Sequence, residues 1–144
     1  MERALLILTS LTLATSAEAR SWARITRSAE GDIYWVDAGS IEADGDLRTA
    51  WVRVRYARPL GPGLGTGAVE ATALEEFDCV ARESSVRYVV YYNSSGAVVR
   101  SSSARLPDWK PAVPDSVGEG TMSFVCSYPI GTNPREIGGL TIDG

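Results

Sequence analysis

A period of two through most of the chain, giving way to a helical period near its end, predicts an α+β fold. The expected architecture is a single antiparallel β-sheet of about five to six strands with a C-terminal helix packed on it. Two stretches carry this reading. RTAWVRVRYAR, residues 48–58, alternates cleanly, with Val52, Val54 and Tyr56 on one face and Trp51, Arg53 and Arg55 on the other. One apolar and one charged face describe a half-buried antiparallel strand. PDSVGEGTMSFVC, residues 114–126, then places Ser116 and Glu119 at capping-box spacing behind Pro114. Val117, Thr121, Phe124 and Val125 fall near one helical face. Gly118 and Gly120 each weaken the helix by roughly 1 kcal/mol relative to alanine, so docking must hold it.

The remaining elements follow in order. Residues 20–25, with Trp22, begin a strand. GDIYWVD (31–37) sends Ile33 and Trp35 one way and Tyr34 and Val36 the other. AGSIEADGD (38–46) reads as a turn region in which Ile41 tucks back onto the core. PLGPGLGTG (59–67) is a loop, rich in glycine and proline. Residues 69–81 resume as a strand with Ala71, Ala73, Phe77 and Cys79 on one face. VRYVVYY (86–92) is rich in β-branched and aromatic residues, NSSG (93–96) turns the chain, and AVVRSS returns as the second arm of a hairpin.

Residues 1–19 have the layout of an export signal: a charged start, an apolar run of about 11 residues, and small Ala17 and Ala19 before a cleavage point ahead of Arg20. Spanning a bilayer takes roughly 20 apolar residues, so no retained membrane span is expected. The domain is expected over 20–127 and a flexible tail over 128–144. The chain carries a net charge of −4, and removal of residues 1–19 leaves −3. That balance argues against a nucleic-acid partner.

In the oxidising compartment such a signal leads to, the two cysteines, Cys79 and Cys126, pair as a structural disulfide. There is no histidine, so neither a Cys-His nor a Ser-His-Asp device can be assembled. No CxxC spacing is present, and neither metal nor cofactor is expected. Two readings fit the stripe of Trp51, Arg53 and Arg55. It meets an anionic partner through guanidinium forks and indole stacking, or it is a solvated face paired with Glu70, Glu76 or Asp78 across strands. Asp37 and Asp78 read as structural carboxylates bonded to turn backbone or to an arginine. A catalytic carboxylate pair is the alternative.

The series Trp22, IYWVDAGSI, RTAWVRVRYA, EFDC, GAVVRSS and a final W…P.S…VC ending at Cys126 resembles the surface-adhesin protein E family. The resemblance implies an antiparallel sheet with a C-terminal helix against it, a disulfide between the matched cysteines, a Gram-negative envelope address and a possible homodimer. The chain departs from the lipid-anchored adhesin in having no acylation cysteine at the cleavage point, which favours a periplasmic or secreted protein. The function expected is a non-enzymatic, exported binding module of the envelope whose partner is a protein or a cell-wall glycan. The alternatives are a carboxylate-dependent envelope hydrolase and a structural or stress-related periplasmic protein.

Overall fold

The computed structural model describes residues 20–63 and 66–130. The leader expected over 1–19 and the tail from 131 onward lie outside them. The alternating stretches pair, all antiparallel, into one curled sheet of order β1-β2-β4-β5-β6-β7. Its long strands are β1 (Trp22–Arg27), β2 (Ile33–Asp37), β4 (Leu47–Arg55), β5 (Glu70–Asp78), β6 (Glu83–Tyr92) and β7 (Val98–Ser103). Two short strands lie off this path: β3 (Glu42–Asp44) pairs with β4, and β8 (Lys110–Pro111) pairs with β6.

The sheet therefore has eight strands where the sequence predicts five to six. Both additions lack the apolar alternation that reveals a strand. β3 is Glu-Ala-Asp and wholly exposed, and β8 is an exposed Lys-Pro. They are held by backbone pairing to long neighbours rather than by buried side chains. The expected turn over 38–46 thus contains a 3-10 turn (Ala38–Ser40) and one arm of a hairpin, whose loop uses Gly45 at φ +58°. β5 also ends at Asp78, so Cys79 lies in the turn that follows rather than within a strand.

Cross-strand register sorts the side chains onto two faces. Val36 opposes Val52, Val52 opposes Ala73, and Ala50 opposes Glu75 on what we call the inner face. The helix α1 (Val117–Ser127) covers one end of that face. Val36, Ile41, Ala50, Val52 and Phe77 meet Met122 and Val125 there, and together they form the core. Met122 rather than Phe124 supplies the deepest helical contact, while Phe124 packs against Tyr128 with ring centroids 5.7 Å apart.

Three devices fasten the glycine-weakened helix. Ser116 Oγ accepts the Glu119 N–H at its N-terminus (3.2 Å), and the Glu119 carboxylate accepts from the Asp115 N–H (2.8 Å). At its C-terminus Arg48 donates to the carbonyls of Val125 (2.6 Å) and Tyr128 (2.7 Å), setting a cation against the negative end of the helix dipole. Cys126 is bonded to Cys79, as the cysteine count predicts, and no free thiol remains. Tyr128, assigned to the tail by its sequence, is thereby docked against the core.

Candidate functional site

The outer face carries the arginine stripe. The period of two in β4 turns Trp51, Arg53 and Arg55 away from Val52 and Val54, and register sets Arg53 between Trp35 of β2 and Thr72 of β5. The Arg53 guanidinium lies 4.0 Å from the ring centroid of Trp22, a cation–π distance. Arg20 stands 6.0 Å from the Trp51 ring, and Trp51 meets Tyr88 edge-on at 6.4 Å. Arg20, Trp22, Trp51, Arg53, Tyr88 and Tyr92 border a shallow cavity of about 240 Å³.

Charge on this face is only partly balanced. Glu70 lies 3.5 Å from Arg53 Nε and 3.4 Å from Arg55 Nη2, so one carboxylate serves two guanidinia. At 3.4–3.5 Å these are long contacts, and the Arg55 guanidinium remains 65% exposed. The buried Nε of Arg53 has no hydrogen-bond partner at acceptable geometry. The other two acids considered for the stripe have separate partners. Glu76 pairs with Arg87 at 2.9 Å, and Asp78 Oδ1 accepts the N–H groups of Val80 (3.0 Å) and Ala81 (2.8 Å). Asp78 thereby shapes the turn that presents Cys79. Asp37, 5% exposed, accepts from the Ser21 N–H at 3.1 Å and lies 3.8 Å from Arg20.

The inner face holds a second feature. Beyond the part covered by α1, small Ala71 and Ala73 on β5 lie between larger residues on β4 and β6. The result is a groove of about 680 Å³. Val52, Val54, Val86 and Val89 line it, with the rings of Tyr34, Tyr56 and Tyr91. That is the volume of a typical small-molecule site. Burial pushes the Glu75 carboxyl in this groove up to about 7. The Tyr34 phenol is raised by burial and then by the negative charges of Asp32, Glu75 and Glu30. Tyr56 is raised by burial first, then by Tyr91, Tyr34 and Asp32.

Sequence reasoning missed Glu75, although a signal was present. The face named from Ala71, Ala73, Phe77 and Cys79 has position 75 at its centre, so an acid interrupts an apolar row. The three tyrosines of β6 divide between surfaces: Tyr88 and Tyr92 border the outer cavity and Tyr91 the inner groove. Among the described residues no group of three or more His, Cys, Asp or Glu is placed to hold a metal, and no helix is long and apolar enough to cross a membrane.

A curled antiparallel sheet with one C-terminal helix packed on it defines a small α+β class, and solved structures share that fold. Two solved structures of Haemophilus influenzae protein E superpose with TM-scores of 0.53 at 14% identity. One match covers 83% of this chain and 98% of the other; the second covers 86% and 92%. Protein E from non-typeable Haemophilus influenzae matches with a TM-score of 0.50 at 14% identity, over 81% and 82% of the two chains. Residues 22–127 match the Surface-adhesin protein E family, and the chain belongs to it. No curated protein sequence matches the chain.

Proposed function

We propose that this protein is an exported, non-enzymatic binding module of the bacterial cell envelope that engages a protein or cell-wall glycan through Trp51, Arg53 and Arg55. Its family supports a surface role, and the Cys79–Cys126 disulfide fits an oxidising compartment. The single observation that carries the site is the state of Arg53. Its guanidinium is held over Trp22 and shares Glu70 with Arg55, so one carboxylate stands against two positive charges on this face. A carboxylate from a partner side chain or an acidic sugar would supply the second negative charge bidentately at the exposed Arg55 guanidinium, with Trp51 and Tyr88 offering apolar faces on the same side of the sheet. Asp37 and Asp78 are both bonded to backbone N–H groups, which makes them poor candidates for the acid and base of a hydrolase.

Retention of the purified, oxidised protein on isolated cell wall and on immobilised envelope proteins tests this reading. Arg53→Gln/Arg55→Gln should lose most retention while keeping the circular dichroism spectrum of the parent; undiminished retention removes the proposal. A homodimer is the second reading, motivated by β7, an edge strand exposed along its whole length with Val98 59% exposed. Light scattering behind size exclusion reads it, and a monomer at high micromolar concentration would end it.

A further inference from the structure

The inner groove lies on the opposite side of the sheet from the arginine stripe and makes a separate case. We infer that it binds a small aliphatic amine, with the hydrocarbon arm along Val52, Val54, Ala71, Ala73 and Val89 and the ammonium on Glu75. The shape follows from the sequence. Alanines at 71 and 73 leave a trough between the valines of β4 and β6, and Phe77 under α1 closes the end beyond Glu75. Glu75 lies four positions along β5 from Ala71, a run of roughly 14 Å, which suits an extended chain.

Charge decides the head group. Glu75 has no hydrogen bond or ion pair among the described residues, and of the acids on the strands that floor the groove it is the one that lines it. The nearest cation by register is Arg48, which faces Phe77 two places along β4. Its guanidinium donates instead to the Val125 and Tyr128 carbonyls. At the rim, Lys110 and Asp108 pair with each other at 2.9 Å. Arg100, in register with Tyr91, is exposed on β7. Tyr34, Tyr56 and Tyr91 also line the groove, and burial raises the phenols of Tyr34 and Tyr56, which stay neutral. An anionic amphiphile would place like charges together, and a purely apolar one would leave the carboxyl desolvated and unpaired. An ammonium satisfies it, with the tyrosine hydroxyls available as further acceptors.

The test is calorimetric titration with n-octylamine, 1-octanol and octanoate. At pH 8 octylammonium should bind saturably, octanol more weakly and octanoate not measurably. With the carboxyl at about 7 in the free protein, its ionised fraction falls from about 0.9 at pH 8 to about 0.03 at pH 5.5. Octylammonium affinity should fall roughly thirtyfold over that range, because the amine stays charged throughout. Glu75→Gln should bind octanol as before but lose both the preference for the amine and the pH dependence. Ala73→Trp, filling the trough, should abolish binding of both, and Arg53→Gln/Arg55→Gln should change neither. No saturable octylammonium binding to the parent protein at pH 8, equal binding of octanoate, or unchanged amine preference in Glu75→Gln overturns the inference.

Discussion

Opening the Cys79–Cys126 bridge should destabilise the fold by removing the covalent tie between helix and sheet, and its effect can be worked from the chain. The cysteines are 47 residues apart. A closed loop of about 48 residues corresponds, in the chain-entropy treatment, to roughly 4 kcal/mol at 25 °C. The folded state loses little else, since Met122 and Val125 still meet Phe77 and Val36, and Arg48 still holds the helix end. The penalty therefore arises mainly in the unfolded chain, which becomes freer. For a domain near 100 residues, 4 kcal/mol is a fall in Tm of roughly 15–30 °C. Guanidinium unfolding of oxidised protein, reduced protein and Cys79→Ala/Cys126→Ala should show both thiol-free and reduced forms destabilised alike. Their m-values should be larger, because more surface is exposed on unfolding. Unfolding free energies in water agreeing to within about 0.5 kcal/mol would refute the staple, showing that noncovalent docking alone fixes α1.

Other consequences follow from single side chains. Arg48→Met should cost about 1.5–3 kcal/mol in urea unfolding, because two charge-assisted bonds to helix carbonyls disappear. Gly120→Ala should stabilise the protein by about 0.5–1 kcal/mol in the same assay. A methyl there would meet Ile25 Cγ2 at an ordinary 3.7 Å while improving helix propensity. Gly31→Ala should do the opposite, since that residue sits at φ +98° and its Cβ would come within 3.3 Å of Ala57.

Glu75 gives the pH dependence. Its folded carboxyl is raised from 4.5 to about 7, so the native state binds the proton more tightly than the unfolded chain. The stability it contributes is present below about pH 4.5 and lost as pH rises through 7, by up to about 3 kcal/mol. Water reaching the groove makes that an upper bound. Tm measured from pH 5 to pH 8 should fall in the parent and flatten in Glu75→Gln.

Elements announced by side-chain pattern were legible in the sequence. Val52-Arg53-Val54-Arg55 gives β4 its two faces, Asn93 marks the β6–β7 turn with Oδ1 accepting three local donors, and Ser116 starts α1. What backbone pairing alone creates was not legible. Glu42-Ala43-Asp44 and Lys110-Pro111 become strands because β4 and β6 extend past their other neighbours and offer free ladder groups. The outer site was half visible: Trp51, Arg53 and Arg55 lie along one strand. Trp22 and Glu70 reach them from β1 and β5, a meeting that depends on register. The inner groove depends on the same register, which places Ala71 and Ala73 between valines, and on where α1 stops covering the face.

The central claim, that this sheet recognises its partner through the outer arginine face, is tested most directly by photocrosslinking in the intact envelope. Neighbouring residues on β5 provide matched probes, because Thr72 borders the outer cavity and Ala73 the inner groove. With p-benzoylphenylalanine at 72, the account predicts a discrete adduct that fades when Arg53 and Arg55 become glutamine; the same probe at 73 should give no such adduct. A chain that crosslinks nothing from position 72, or whose adduct persists undiminished without the two arginines, would contradict it.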